Sequence, residues 1–400
     1  MQHSILAKLA QLLLGALLAS THLLAAPAQP ITGPWKQIRL DTPPDAVWGI
    51  NSELTQAVVY EGAPLAGEPT VVFAYLGRPA RTLEPRPAML LVHGGGGKAF
   101  QEWAQHWAER GYVALAMDLS GNSPSGRLPD GGPDQSDQVK FRNFSTAEIG
   151  EMWTYHAVAA VLRGHALLRS LPEVDPTRIG ITGISWGGYL TCIVAGVDPE
   201  LKVAVPVYGC GFLGENSYWS DRSLAGMKPE SRQLWLQTFD PSRYLAGVRC
   251  PILFLNGTTD FAYPLDSYQK SYRLVPKNLR YVSVIPGLPH GHIWTFNEVD
   301  AFVGSVLNDG VALPKLTETR VKGNQLHATL HSDTRSQSAS LHYTTDTGPW
   351  QARKWLAAPA TLFDRTLFAE LPPERPLTAF LALTDERGLR ISSEHVVLGE

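Results

Sequence analysis

A serine flanked by glycines is the clearest candidate for chemistry in this sequence. Residues 183–187 read Gly-Ile-Ser-Trp-Gly, which fits the pattern Gly-x-Ser-x-Gly. The apolar stretch 179–182 precedes this motif, and the helix-compatible stretch 188–192 follows it. A sharp turn between a strand and a helix exposes a nucleophilic serine, and small neighbours allow the close packing that the turn requires. We therefore predict that Ser185 is a nucleophile.

A serine hydroxyl is a weak nucleophile and needs a base that is itself oriented by an acid. In folds with this turn, the order along the chain is serine, then acid, then histidine. Asp260 lies just after the apolar run 251–255, which places it beyond the carboxyl end of a predicted strand. We predict that Asp260 is the acid of the triad, and Asp266 is the second candidate for that role.

Two histidines compete for the role of base. His290 and His292 both follow the predicted strand 279–285, in the sequence Pro-Gly-Leu-Pro-His-Gly-His. We favour His290, because the turn formed by the preceding glycine and proline places it first after the strand. His292 is then predicted to support the substrate pocket. A metal site at this His-x-His pair would need further ligands, which the sequence does not place.

The negative oxygen that forms during attack needs preorganised hydrogen-bond donors. One predicted donor is the backbone N–H of Trp186, the residue after the nucleophile. The second donor is predicted to be a backbone N–H in the loop 93–97, His-Gly-Gly-Gly-Gly. Gly95 is the first candidate and Gly96 the second. We predict a structural, hydrogen-bonding role for His93.

These residues need a scaffold of strands that alternate with helices, and residues 88–310 have that pattern. Predicted strands cover 89–92, 112–117, 178–182, 203–208, 251–255 and 279–285, and predicted helices cover 100–110, 145–170, a stretch from 186 and 298–307. Such alternation predicts an α/β fold with a mostly parallel, doubly wound sheet. Short strands are also predicted at 57–60 and 70–75. They belong to an N-terminal β segment, residues 31–88, which is part of a predicted catalytic domain over residues 29–310.

The pattern changes again near residue 313. Predicted strands at 321–330, 340–345, 361–368, 377–383 and 391–398 are short and separated by turns. They predict a small β-sandwich-like accessory domain over residues 313–400.

Residues 1–28 have the layout of a secretory signal peptide. Lys8 precedes an apolar run at 9–19, and Ala-Pro-Ala at 26–28 is a small-residue cleavage signature. The run is too short to span a bilayer. We therefore expect an exported protein, periplasmic or secreted, with no stable membrane insertion after cleavage.

Composition narrows the class of partner. The chain has 34 basic and 37 acidic residues and a net charge of −3, without a basic stripe, which argues against a nucleic-acid partner. Cys192, Cys210 and Cys250 are predicted to be buried free thiols rather than a disulfide. The acidic stretch 130–137 lacks regular calcium-ligand spacing and is read as a solvated loop. We predict neither a cofactor nor a metal.

Together these motifs resemble the α/β-hydrolase superfamily. The segments Gly-Ile-Ser-Trp-Gly-Gly-Tyr and Pro-Gly-x-x-His-Gly are similar to those of the dienelactone hydrolase, acetyl xylan esterase and prolyl-oligopeptidase catalytic-domain group. The resemblance covers residues 50–310. The chain departs from dienelactone hydrolases by having serine where they carry cysteine, and it leaves little room for the propeller of prolyl oligopeptidases. Both departures favour an esterase.

The predicted function is that of an exported serine carboxylesterase or deacetylase acting on small or carbohydrate-linked acyl esters. A serine peptidase of the prolyl-oligopeptidase type is the alternative, and a non-catalytic binding protein is a third. The loop 119–144, the start of the following helix and the segment 210–248 are expected to surround the pocket. The predicted pocket residues are Trp153, Tyr155, His156, Phe212, Tyr218, Trp219 and His292.

Overall fold

The computed structural model describes residues 29–80, 84–294 and 296–399, and its largest element is a nine-stranded sheet. The predicted signal peptide lies outside the described residues. The strands are β1 Ala46–Asn51, β2 Thr55–Glu61, β3 Val71–Gly77, β4 Arg86–Val92, β5 Val113–Met117, β6 Val174–Ile184, β7 Val203–Val207, β8 Ile252–Gly257 and β9 Arg280–Ile285. Their spatial order is β1-β2-β3-β5-β4-β6-β7-β8-β9. Strands β4 to β9 run parallel, whereas β1 to β3 pair antiparallel, so the predicted mostly parallel sheet is confirmed.

Helices cover both faces of this sheet. Every residue of β5 and of β7 is buried, and successive residues of a strand point to opposite faces. The helices are α1 Gln101–Glu109, α2 Asp137–Lys140, α3 Trp153–Ser170, α4 Trp186–Val197, α5 Pro229–Thr238, α6 Leu265–Leu274 and α7 Asn297–Leu307. Continuous apolar runs in the central strands are therefore explained by burial on both sides. None of the helices in the described ranges is long and apolar enough to cross a membrane.

The predicted helix 145–170 is wrong at its start. The capping box of Ser145 and Glu148 is present, but it caps a short 3-10 helix, Thr146–Glu151. Met152 then adopts an extended conformation, and α3 begins only at Trp153. Met152 is buried in the core, so packing of its side chain interrupts the helix that the local signals favour.

The C-terminal residues form two small antiparallel sheets. Their strands are β10 Lys315–Lys322, β11 Gln325–His331, β12 Ser336–Thr344, β13 Leu356–Pro359, β14 Thr361–Phe363, β15 Thr366–Glu370, β16 Leu377–Asp385, β17 Arg390–Ser392 and β18 Val396–Leu398. One sheet has the order β10-β11-β15-β14, and the other has β13-β12-β16-β17, with β18 also paired to β16. These β-rich sheets fit the predicted small additional domain.

Two predicted C-terminal strands are each two strands in the structure. The stretch 321–330 contains a turn at Gly323, which has φ 59°, and the stretch 361–368 contains a turn at Asp364, which has φ 53°. Positive φ angles lie outside the β region and, at these two positions, reverse the chain between two paired strands. The Gly-Asn pair at 323–324 is a hairpin signal that the apolar content of the stretch obscured.

The C-terminal sheets pack against strand β9, at the edge of the large sheet. The Val284 N–H donates to Ser392 Oγ at 2.9 Å, and Ser283 Oγ donates to the Arg390 carbonyl at 2.8 Å. Glu394 accepts from Arg273 at 2.8 Å and also pairs with Arg280. The open side of β9 is therefore covered by another part of the same chain.

Replacing Glu394 by alanine is expected to destabilise the protein. Only 10% of the Arg280 side chain is exposed, so the substitution leaves a largely covered guanidinium without its carboxylate. We expect the free energy of unfolding to fall by about 1–3 kcal/mol, measured by urea denaturation. The control is Glu386→Ala, because Glu386 pairs with Arg335, which is 90% exposed, and should change stability by less than about 0.5 kcal/mol. Equal effects of the two substitutions would contradict the role of this contact.

Candidate active site

Ser185 stands on a strained turn between β6 and α4. Its backbone has φ 60° and ψ −118°, and a non-glycine residue in such a conformation is a marker of a functional constraint. The Ser185 N–H donates to the Val207 carbonyl at 2.9 Å, which ties the turn to β7. A Cβ atom on Gly187 would lie 2.0 Å from the Val92 carbonyl oxygen, so only glycine fits there. The sheet thus holds the serine hydroxyl at one fixed place.

The structure brings Ser185, His290 and Asp260 into one hydrogen-bonded chain. Ser185 Oγ lies 2.8 Å from His290 Nε2, and His290 Nδ1 lies 2.6 Å from Asp260 Oδ2. The other carboxylate oxygen of Asp260 accepts the N–H groups of Ala262 and Tyr263 at 2.9 and 2.8 Å. These partners assign the Nδ1 proton to His290 and leave Nε2 to accept the serine proton.

The reserve acid, Asp266, is engaged elsewhere. Its two carboxylate oxygens accept from the Asn216 side-chain amide at 3.0 and 2.8 Å. Asp266 lies in the first turn of α6, one element after the loop that carries Asp260. The histidine therefore has Asp260 as its carboxylate partner, in agreement with the first choice made from the sequence.

The glycine loop 93–97 passes directly over the nucleophile. A Cβ atom on Gly94 would lie 2.9 Å from Ser185 Cβ and 2.7 Å from the Ile184 carbonyl oxygen. The N–H of Gly96 donates to Gln135 Oε1 at 3.1 Å, whereas no acceptor is present for the Gly95 N–H within the described ranges. Trp186 begins α4, where backbone N–H groups lack partners within the helix. Gly95 and Trp186 are thus the available donors, and Gly96 is the weaker candidate.

Two neutral histidines fix this loop. His93 accepts the Leu119 N–H at Nε2, 2.9 Å away, and its Nδ1 donates to the Gly94 carbonyl at 2.7 Å. Burial lowers the pKa of His93 to about 4. His292 Nε2 accepts the Gly94 N–H at 2.9 Å, and burial, reinforced by neighbouring His290, lowers the pKa of His292. His292 contacts the loop rather than the serine, which fits a supporting role.

His292→Ala is expected to reduce kcat by about tenfold, a barrier increase of about 1.4 kcal/mol. The reason is that the Gly94 amide loses its acceptor, so the loop no longer holds the neighbouring Gly95 N–H at one position. Turnover of p-nitrophenyl acetate measures the effect. The control is His331→Ala, since His331 is exposed in the C-terminal sheets. A loss above a thousandfold would show that His292 takes part in proton transfer.

A cavity of about 500 Å³ opens beside Ser185. Its lining includes Gly95, Gly96, Gln135, Asp137, Lys140, Ile184, Ser185, Trp186, Tyr218, Trp219, Phe261, Ala262, His290, Gly291 and His292. No group of three or more His, Cys, Asp or Glu side chains in the described parts of the chain is arranged to hold a metal ion.

Four of the predicted pocket residues do not line this cavity. Trp153 is fully buried and donates from Nε1 to the Leu119 carbonyl at 2.7 Å. Tyr155 stacks on Trp35, and His156 faces a small separate cavity near Gly132. Phe212 lines another cavity, formed with α5. For Trp153 and His156 the reason is that the start of α3 packs into the core. Tyr218, Trp219 and His292 do line the cavity.

Several lining residues were not named from the sequence, among them Gln135, Lys140 and Phe261. Lys140 is buried, with Nζ 3.0 Å from Asp137 Oδ1 and 4.2 Å from the centre of the Trp186 ring, and burial lowers the pKa of Lys140. Gln135 holds the Gly96 amide, as described above. Both come from the polar segment 119–144, which was expected to surround the pocket, but no local signal indicates which of its residues are buried, and Lys140 ends the short helix α2. Phe261 could have been found, because it follows Asp260 directly.

Comparison with known proteins agrees with this architecture. The family model of the dienelactone hydrolase family matches residues 72–294. The chain is 26% identical over 206 residues to the uncharacterized peptidase YuxL of Bacillus subtilis, covering 48% of this chain and 28% of that protein. It is 23% identical over 215 residues to the acetyl esterase Axe7A of Xylanibacter ruminicola. That match covers 48% of this chain and 46% of that protein. The chain therefore spans less than half the length of either relative.

Among solved structures, the acetyl xylan esterase from Paenibacillus sp. R4 superposes with a TM-score of 0.53 at 19% sequence identity. The match covers 66% of this chain and 90% of that one. At this identity the likeness shows a shared fold.

Proposed function

Because the chain belongs to the dienelactone hydrolase family of the α/β-hydrolase superfamily, we propose that it is a serine carboxylesterase or deacetylase. A hydrolase of the esterase and peptidase type is the class to which its relatives belong. The observation that carries the finer proposal is the chain of two hydrogen bonds, 2.8 and 2.6 Å long, from Ser185 through His290 to Asp260. The proposed substrates are small or carbohydrate-linked acyl esters.

In the proposed mechanism, Ser185 Oγ attacks the ester carbonyl while His290 Nε2 takes the hydroxyl proton. Asp260 accepts from His290 Nδ1 and stabilises the imidazolium that forms. The oxygen that becomes negative is bound by the N–H groups of Trp186 and Gly95. His290 then gives its proton to the departing alcohol oxygen, which leaves an acyl-enzyme. Water, activated by His290, releases the acid in the second half of the reaction.

Two observations support an ester rather than a peptide as substrate. The cavity beside Ser185 is only about 500 Å³ and is lined by tryptophan rings, which suits a small acyl group. A curated relative is an acetyl esterase.

The alternative, a serine peptidase of the prolyl-oligopeptidase type, is kept because a second relative is named a peptidase. Parallel assays with p-nitrophenyl acetate and Gly-Pro-p-nitroanilide discriminate between the two functions. The esterase proposal expects turnover of the first compound and little of the second. The reverse preference would favour the peptidase. A protein that reacts with neither compound, nor with a fluorophosphonate probe, would instead support a binding role.

The proposed place of action is outside the cytoplasm. The proposal rests on the sequence of residues 1–28. Lys8 precedes the apolar run 9–19, and the segment ends with Ala-Pro-Ala at 26–28. N-terminal sequencing of the protein recovered from the periplasm or the medium tests it. Export predicts a first residue at Gln29, whereas recovery of the intact chain in the cytoplasm would contradict it.

A further inference from the structure

Two aromatic side chains are exposed at the mouth of the active-site cavity. Phe261 is 50% exposed and Tyr218 is 38% exposed, and both line the cavity. Their rings meet edge to face, with centres 5.6 Å apart. Trp186 and Trp219 in the same cavity are at most 5% exposed. Exposing two adjacent large rings leaves apolar surface in water, which indicates a binding surface rather than part of the core.

Phe261 lies beside the group that moves the proton. Three rings surround the His290 imidazole, with centres at 4.4 Å for Tyr208, 4.8 Å for Phe261 and 6.4 Å for Tyr263. Both tyrosines are completely buried, and the Tyr208 hydroxyl donates to the Pro289 carbonyl at 2.7 Å. Phe261 is therefore the ring next to His290 that a bound molecule can contact, among the residues that the structure describes.

The two rings are held in place. Asp260 accepts the N–H groups of Ala262 and Tyr263, so the backbone directly after Phe261 is fixed by the same carboxylate that orients His290. The Arg222 guanidinium lies 4.0 Å from the centre of the Tyr218 ring, a cation–π contact that fixes the ring at the cavity mouth. A rigid aromatic surface binds a ligand at low cost in conformational entropy.

We propose that Phe261 and Tyr218 form the subsite for the alcohol part of the ester, and that this alcohol carries a ring with an apolar face, as in an arylmethanol or a pyranose. The inference rests on the proposed serine esterase function. His290 must deliver its proton to the alcohol oxygen as the acyl-enzyme forms, so the alcohol lies against the exposed side of His290. Stacking of a ring on such side chains is worth about 0.5–1.5 kcal/mol per ring beyond its buried area.

The test measures selectivity between two acetate esters that share an acyl group and whose alcohols have similar acidity. The quantity is the ratio of kcat/KM for benzyl acetate to kcat/KM for ethyl acetate. Any displacement of His290 affects both esters and cancels in this ratio. We expect the ratio to fall about tenfold in Phe261→Ala and about threefold in Tyr218→Ala, since each removes one stacking surface. Phe261→Tyr retains a ring and should restore the ratio to within about twofold of wild type.

The matched control is Phe363→Ala, because Phe363 is 75% exposed in β14, outside the catalytic region. Its ratio should equal that of the wild type. A second ratio, ethyl butyrate to ethyl acetate, reports on the acyl side. If Phe261→Ala changes the acyl ratio and not the alcohol ratio, or changes neither in an active enzyme, the alcohol subsite is wrong. A wild-type enzyme that turns over none of these esters would contradict the esterase function itself.

Discussion

Replacing Ser185 by alanine is expected to lower kcat/KM for p-nitrophenyl acetate by at least about 10⁴-fold, because the residual rate comes only from the cavity and its oxyanion donors. The substitution removes one hydroxyl whose partner is His290 Nε2, so the fold should be retained. Circular dichroism and thermal unfolding check the fold, and steady-state kinetics measure the loss. Labelling by a fluorophosphonate should disappear with the activity.

The control for this experiment is Ser305→Ala. Ser305 lies on α7, and its hydroxyl donates to the Phe302 carbonyl at 2.8 Å, so that variant should keep wild-type activity and labelling. A Ser185→Ala variant that retains more than about a tenth of wild-type kcat/KM would remove Ser185 from the role of nucleophile.

His290→Ala is expected to cost nearly as much as the loss of Ser185. Members of a catalytic triad act as a unit, since the serine is a poor nucleophile without its base. His290 contacts both Ser185 Oγ and Asp260 Oδ2, whereas His292 accepts the Gly94 N–H and lies beside the Phe100 ring. We therefore expect a loss of at least about 10⁴-fold for His290→Ala, against about tenfold for His292→Ala.

The comparison of the two histidine variants is made with the same ester and at the same pH. If His292→Ala reduced activity by more than His290→Ala did, the base would have been assigned to the wrong histidine. If both variants kept more than about a tenth of wild-type activity, general-base catalysis by this loop would be contradicted.

The core of the candidate site could be predicted from the sequence, because its residues come directly after strands of a parallel sheet. Such strands end at one edge, so Ser185, Asp260 and His290, which follow β6, β8 and β9, lie at the same edge of the sheet, with β7 between β6 and β8. Each of these positions is set by local signals, namely a glycine-flanked turn or an apolar run followed by a polar residue.

The cavity wall was harder to predict, because it depends on how loops and helix starts pack. Trp153 and His156 lie at the start of α3, where proximity along the chain suggested a pocket, yet that turn packs into the core. Lys140 was missed for the opposite reason. It ends the short helix α2 in a polar segment, and its burial depends on contacts with Asp137 and the Trp186 ring that no local pattern encodes.

The covering of β9 by the C-terminal sheets has a consequence for how the protein is made. β9 ends at Ile285, and β17, which supplies the Arg390 and Ser392 contacts, begins only after more than a hundred further residues. At a translation rate of about 5–20 residues per second, the nascent chain exposes this sheet edge for about 5–20 seconds. During that interval its unpaired N–H and C=O groups can pair with a second nascent chain. The later strands thus close this edge of the large sheet only after the rest of that sheet has been synthesised.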